Sequence, residues 1–199
     1  MRYVVGITGS IACGKSFVSK TLEDLGYSVV DTDKISHLLT ADGSYANKEL
    51  ASVFPEAVKD GRLNRAILCQ IVFNDKTRRL RLNQILHPLI YKITKEKIEE
   101  NDGIIFVDVP LMFEAHFDTL CDKIICVYTD KDTQIKRLME RDRLSYDDAQ
   151  KKINSQMPLE EKMARSDFLL KSEENFFDTK KNIDKILTLI KEEYNAKAV

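Results

Sequence analysis

Gly9-Ser-Ile-Ala-Cys-Gly14-Lys15-Ser16 sets two glycines, a lysine and a hydroxyl at the spacing G-x-x-x-x-G-K-[ST]. Those residue types in that order handle phosphate. Glycines let the backbone wrap so that successive N–H groups converge on anionic oxygens, and a following helix adds its positive end. Lys15 then reaches the β- and γ-phosphates of a nucleoside triphosphate, and the Ser16 hydroxyl suits Mg²⁺. The phosphate-binding set is Gly9, Ala12, Cys13, Gly14, Lys15, Ser16 and the following Phe17. Cys13 lies where amide dipoles can lower a thiol's pKa, but its type reads first as a small residue filling the loop.

Carboxylates and arginines complete the chemistry. In an α/β sheet, ligands gather at the carboxyl ends of the strands. Asp31 and Asp33 follow one apolar run and Asp108 lies within another. Asp33, farther past its run, is the expected base that takes the acceptor's proton; Asp31 stays open between base and helix cap. Asp108 is expected to hold Mg²⁺ through water, since a carboxylate in an apolar strand is costly to bury without a partner. Arg137 and Arg141, four apart, share a helix face, with Arg143 just beyond. Together they read as a lid that excludes water and sets positive charge on the transferring group. His87-Pro88 lies between helical stretches as a candidate substrate contact, whereas His37 and His116 read as helix-end or core residues.

The elements that must position these groups follow from pattern. Residues 3–7 are β-branched and apolar and predict a buried strand; 15–25 predict a helix closed by Gly26; 27–30 predict a second strand. Strand, glycine turn, helix, strand is the opening of an α/β fold. Residues 103–109 and 123–128 are apolar runs suited to the middle of a parallel sheet, and 168–170 are a short last strand. Between them, 34–100 read as an inserted helical lobe with breaks at Pro55, Gly61 and Pro88, Asn64 capping one helix, and separate helices over 79–86 and 88–100. Residues 134–160 form the lid region, with a capping box at Ser145, and the tail is amphipathic through Ile183, Ile186, Leu187, Ile190 and Tyr194. The expected fold is a single α/β domain: a five-stranded, mostly parallel sheet flanked by helices, with a helical acceptor lobe and a helical lid.

Bulk properties agree. The chain has 199 residues, and its 31 Lys and Arg nearly cancel its 32 Asp and Glu, so nothing points to nucleic acid or an anionic membrane as partner. No run approaches the ~20 apolar residues of a membrane span, and the start lacks the apolar stretch of a signal peptide. Four cysteines without a CxxC pair read as reduced thiols, and a cytoplasmic location is expected.

Several segments narrow the reading. GITGSIACGKS at the start, the aspartates of 31–33, LNQILHP at 82–88, DVPLMFE at 108–114 and the long RDRLSYDDAQKKINSQMPLEEKMARSDF at 141–168 occur in one order. In that order and spacing the chain resembles the dephospho-coenzyme A kinases, nearly up to residue 170. The resemblance implies ATP and Mg²⁺, dephospho-coenzyme A as acceptor through its ribose 3′-hydroxyl, and no obligate protein partner. It also implies Asp33 as base, Lys15 and Ser16 at the phosphates and metal, Arg141 as lid arginine, and acceptor contacts from a lobe including Arg65, His87 and Pro88. Two departures stand out. Ala12 and Cys13 replace a glycine and a small residue, and Ala12 is expected to keep an ordinary φ. SDFLLKSEEN replaces the usual ending after the last strand, so no site residue is assigned there. The competing readings are another small-molecule kinase, of the nucleoside monophosphate or shikimate type, and a nucleotide-dependent switch.

Overall fold

A computed structural model describes residues 1–41, 43–44 and 46–197, with the backbone alone at Asn74. In chain order the elements are β1 (Arg2–Gly9), α1 (Lys15–Asp24), β2 (Ser28–Asp31), α2 (Thr32–Leu39), α3 (Asn47–Val53), β3 (Val58–Lys59), β4 (Arg62–Leu63), α4 (Arg65–Asn74) and α5 (Lys76–Glu99). There follow β5 (Gly103–Asp108), β6 (Lys123–Tyr128), α6 (Lys131–Asp142), α7 (Tyr146–Asn154), α8 (Leu159–Ala164), β7 (Phe168–Lys171) and α9 (Phe176–Lys197). The chain divides into two compact units, Met1–Val30 with Ile98–Val199, and Asp31–Lys97.

The first unit is built on a five-stranded sheet of order β2-β5-β1-β6-β7, in which β1 pairs in parallel with β5 and β6, and β6 with β7. The central strands are apolar on both faces because helices cover both. Val5, Ile7, Ile105, Phe106 and Val107 are fully buried. Helices α1 and α9 close one face through Val18, Leu22, Ile183, Leu187 and Ile190, so the tail's expected apolar stripe is the one it buries. Register then places the chemistry. Ile7 stands opposite Asp108, and Gly9 opposite Val127, so the ends of β5 and β6 flank the point where β1 turns into the glycine loop.

The second unit holds α2 to α4, most of α5 and a small hairpin. Asn64 caps α4 as expected, accepting from Ile67 N–H at 3.1 Å. Leu50, Phe54, Ala57 and Leu68 are buried, and Arg78 stacks its guanidinium over the Phe54 ring. One expectation is corrected in this unit and another is refined. Pro88 does not separate two helices; it lies inside the 24-residue α5. Ile85, Leu86 and Ile90 are buried on either side of it, and this side-chain packing carries the helix past the one hydrogen bond a proline cannot donate. Gly61 does interrupt the helices, as expected, and does so as half of a hairpin turn that the helical reading left out. Asp60 and Gly61 have φ of 52° and 76° and join the antiparallel strands β3 and β4, as two-residue hairpin turns require.

Candidate active site

The glycine loop is shaped by close contacts. A Cβ on Gly9 would stand 2.5 Å from the Val127 carbonyl oxygen, so only glycine lets β1 and β6 approach this closely here. The chain then turns, with Cys13 N–H donating to the Ser10 carbonyl at 3.3 Å. Ala12 has φ 62°, which corrects the expectation of an ordinary φ. It is the third residue of that turn, a place that takes positive φ in type II geometry, at a cost of about 1–2 kcal/mol for a residue with a Cβ. Gly14, at φ 89°, precedes α1, which has neither a capping side chain nor an acid in its first turn. The helices capped by Asp31, Asn64 and Ser145 satisfy an amide with a side chain; α1 has no side-chain cap, an arrangement suited to an anion.

Cys13 is buried, and burial pushes its thiol up to about 11 despite hydrogen bonds that act the other way. Its place in the loop is therefore one of packing, and the dipole-activated thiol is set aside. All four cysteines are free thiols.

Lys15 pairs its ammonium with Asp108 Oδ1, while Asp108 Oδ2 accepts from Ser19 Oγ at 2.5 Å. Asp108 is only 4% exposed, so the cation and the hydroxyl supply the partners a buried carboxylate needs. Sequence reasoning overlooked Ser19. It lies four residues after Lys15 on α1, and that spacing was the available signal.

The arginines separate. Arg137 donates to Ser172 Oγ at 3.2 Å and to the Glu173 carbonyl at 2.8 Å. A Cβ on Gly14 would fall 2.2 Å from Ser172 Oγ and 3.4 Å from the Arg137 guanidinium. Arg137 and Ser172 therefore stand against the phosphate loop. Ser172 sits in the segment to which no site residue had been assigned, brought there by the parallel pairing of β7 with β6. Arg141 instead forks onto the two carboxylate oxygens of Asp142 at 2.8 and 3.1 Å, with more than half its side chain exposed. Arg141 and then Lys152 hold the Asp142 carboxyl well below the usual carboxylate range. Arg143 ends α6 in a left-handed conformation.

In the second unit, Asp31 is the cap of α2, accepting from Lys34 N–H at 3.0 Å. That leaves Asp33 exposed in the helix's first turn and not as its cap. His37, one turn farther along, accepts from the Arg65 guanidinium through Nδ1, so Asp33, His37 and Arg65 gather along one side of α2. Sequence reasoning set His37 aside, though its i+4 spacing from Asp33 was visible. His87 is half-buried in α5, and burial lowers its pKa; Pro88 beside it is exposed. His116 opens a short 3₁₀ turn from a left-handed conformation, the helix-end role expected of it.

A strand, a glycine turn, a helix bearing Lys15 and Ser16, an acid closing the adjacent strand and an arginine against the loop define a P-loop phosphotransferase. Among such folds, residues 3–178 match the dephospho-CoA kinase family, and the chain belongs to that family. It is 39% identical to a dephospho-CoA kinase of Listeria monocytogenes over 96% of this chain and 97% of the relative. It is 38% identical to that of Carboxydothermus hydrogenoformans, over 92% of each. A solved dephospho-CoA kinase from Campylobacter jejuni superposes with a TM-score of 0.71 at 32% identity, covering 97% of this chain and 99% of that one. A shikimate kinase from Acinetobacter baumannii reaches 0.57 at 14% identity over 97% of this chain and 95% of its own, a likeness of fold alone. Among the described residues no helix is long and apolar enough to cross a membrane.

Proposed function

We propose that the chain transfers the γ-phosphoryl group of ATP to the ribose 3′-hydroxyl of dephospho-coenzyme A, the closing step of coenzyme A synthesis, in the cytoplasm. The observation that carries this reading is the uncapped start of α1, with Lys15 held beside it by buried Asp108, in a chain of the dephospho-CoA kinase family. The amides after Gly14 bind the phosphates, and Lys15, oriented by its pairing with Asp108, donates to the β- and γ-oxygens. Arg137, anchored by Ser172 and Glu173, adds positive charge at the Gly14 side of the loop. Arg141 leaves an exposed surface pair to reach the transferring group, which costs little because such pairs are weak in water.

Asp33 accepts the proton of the acceptor hydroxyl as its oxygen bonds to the γ-phosphorus and the bond to the ADP oxygen breaks. An ordinary aspartate suffices, because a loose transition state needs little prior deprotonation. Arg65, His87 and Pro88 lie in the lobe that takes the acceptor. Ser16 and Asp108 offer the oxygen donors that Mg²⁺ prefers, yet no cluster of three His, Cys, Asp or Glu suited to a metal occurs among the described residues. Their chemistry fits a cation that arrives with the nucleotide, whose phosphates supply further ligands. When bound, Mg²⁺ neutralises charge on the β- and γ-oxygens.

The test is ADP release with ATP and Mg²⁺, with and without dephospho-coenzyme A, beside Asp33→Asn. The expected result is acceptor-dependent turnover that falls at least 100-fold in the variant, about the least that general base catalysis supplies. Turnover indifferent to dephospho-coenzyme A overturns the acceptor; full turnover in Asp33→Asn overturns the base.

A further inference from the structure

The phosphate loop is gripped from outside at Ile11. Its N–H donates to Gln156 Oε1 at 3.0 Å, and its carbonyl accepts from Gln134 Nε2 at 2.7 Å. Gln134 Nε2 also donates to Ser10 Oγ at 2.9 Å. Both backbone groups of Ile11 are thus committed to side chains of the lid region and are not spent on phosphate. Gln134 is buried on α6, whereas Gln156 lies in the turn between α7 and α8 and is itself pinned. The next amide, Met157 N–H, donates to Glu114 Oε1 at 3.3 Å. That oxygen stands 3.0 Å from the ammonium of Lys162, a fully buried lysine that also donates to the Pro110 carbonyl at 2.8 Å. One run of polar contacts therefore joins the exit of β5, the start of α8 and the phosphate loop.

Such a grip has a physical reason. Ala12, the neighbour of Ile11, is left-handed, and strained residues persist where their surroundings over-determine them. We propose that Gln156 is a positioning residue: it holds the phosphate loop in its nucleotide-binding shape from the lid side, and the buried Lys162–Glu114 pair holds Gln156. This makes affinity for the phosphate chain, and not for the nucleoside, depend on how the lid region is seated. The inference rests on residues 9–16 being the phosphate site. Gln156 touches no reacting atom in this account.

The experiment measures ADP affinity by calorimetry, and adenosine affinity by competition, for the wild-type chain, Gln156→Ala and Gln156→Asn. Asn keeps the amide but falls one methylene short of Ile11. Gln156 borders a cavity of about 620 Å³, where water can take the space that a truncated side chain leaves, so the melting temperature is expected to hold within about 2 °C. ADP binding is expected to weaken about 2- to 13-fold in both variants, the range of one net hydrogen bond, while adenosine binding is unchanged. Unchanged ADP affinity overturns the proposal. So does an equal loss for ADP and adenosine, or a fall in melting temperature with no selective loss, each of which marks a purely structural residue. A wild-type chain that fails to bind ADP overturns the phosphate-site reading itself, before any variant is compared.

Discussion

Replacing Lys162 with methionine removes a positive charge buried against Glu114 while keeping most of the side chain's length and its apolar stem. Among the described residues, the remaining carboxylate accepts Met157 N–H through Oε1, and its other oxygen is buried without a hydrogen-bond partner. Breaking a buried pair by deleting one partner costs about 3–5 kcal/mol, mainly because a charge is left uncompensated. Lys162 is 0% exposed, but the Glu114 side chain is 24% exposed, so the pair is not wholly desolvated and the low end, about 3 kcal/mol, is appropriate. For a chain of this size, each kcal/mol lowers the melting temperature by about 2–4 °C, giving a fall of about 6–12 °C. The assay is thermal unfolding followed by circular dichroism at pH 7.5. The double variant Lys162→Met/Glu114→Gln tests the cause. The amide keeps an acceptor for Met157 N–H and removes the stranded charge, so at least half of the loss should return, as pairs replaced on both sides are often neutral. A fall below about 2 °C in Lys162→Met, or a double variant no more stable than the single one, refutes the argument that uncompensated charge sets the cost.

Two further outcomes follow from titratable groups. Burial pushes Cys13 up to about 11, and both Cys121 and Cys126 up to about 12, while Cys69 is exposed. At pH 8 a thiol-specific reagent should modify Cys69 quickly and the other three only after unfolding; two or more fast thiols on the folded chain defeat this. Asp142 joins α6 to Lys152 of α7 with its carboxyl held below the ordinary range. A depressed folded pKa contributes stability above the unfolded value and loses it as pH falls through the folded one. The stability gap between wild type and Asp142→Asn should therefore stay flat from pH 8 to about 5 and shrink only below about 4. A gap that widens on acidification contradicts the sign.

What the sequence disclosed and what it withheld divide by range. The glycine loop, the caps Asn64 and Ser145, the apolar strands and the stripe on α9 depend on neighbours within a few residues, where type and spacing suffice. Asp60-Gly61 carried a hairpin signal of equal quality, missed because the surrounding helical pattern was given more weight. Pro88 misled for the opposite reason: a strong local rule gave way to the packing of Ile85, Leu86 and Ile90. The site divides in the same way. The spacing of Lys15 and Ser16 and the helix position of Arg137 were legible, and Asp108 was legible as a carboxylate that needs a partner, but the lysine that compensates it became visible only through the strand register.

Glu114, Gln156 and Lys162 were legible as members of resembling segments, and Gln134 only as the start of the lid region, none of them as parts of a mechanism. Their partners lie 145 residues away for Gln156 with Ile11 and 43 for Met157 with Glu114, and no periodicity reports such a pairing. Segments 108–114 and 156–162 carried much of the resemblance without an evident chemical task. Their joint task is geometric: they meet at a fully buried ammonium, and the side chain they position reaches a stretch of backbone that bends against its φ preference at Ala12 and that we propose cradles phosphate. A substitution in either segment should therefore be felt first in phosphate affinity when it spares the buried pair, and first in stability when it does not. Gln156→Ala and Lys162→Met separate those two cases.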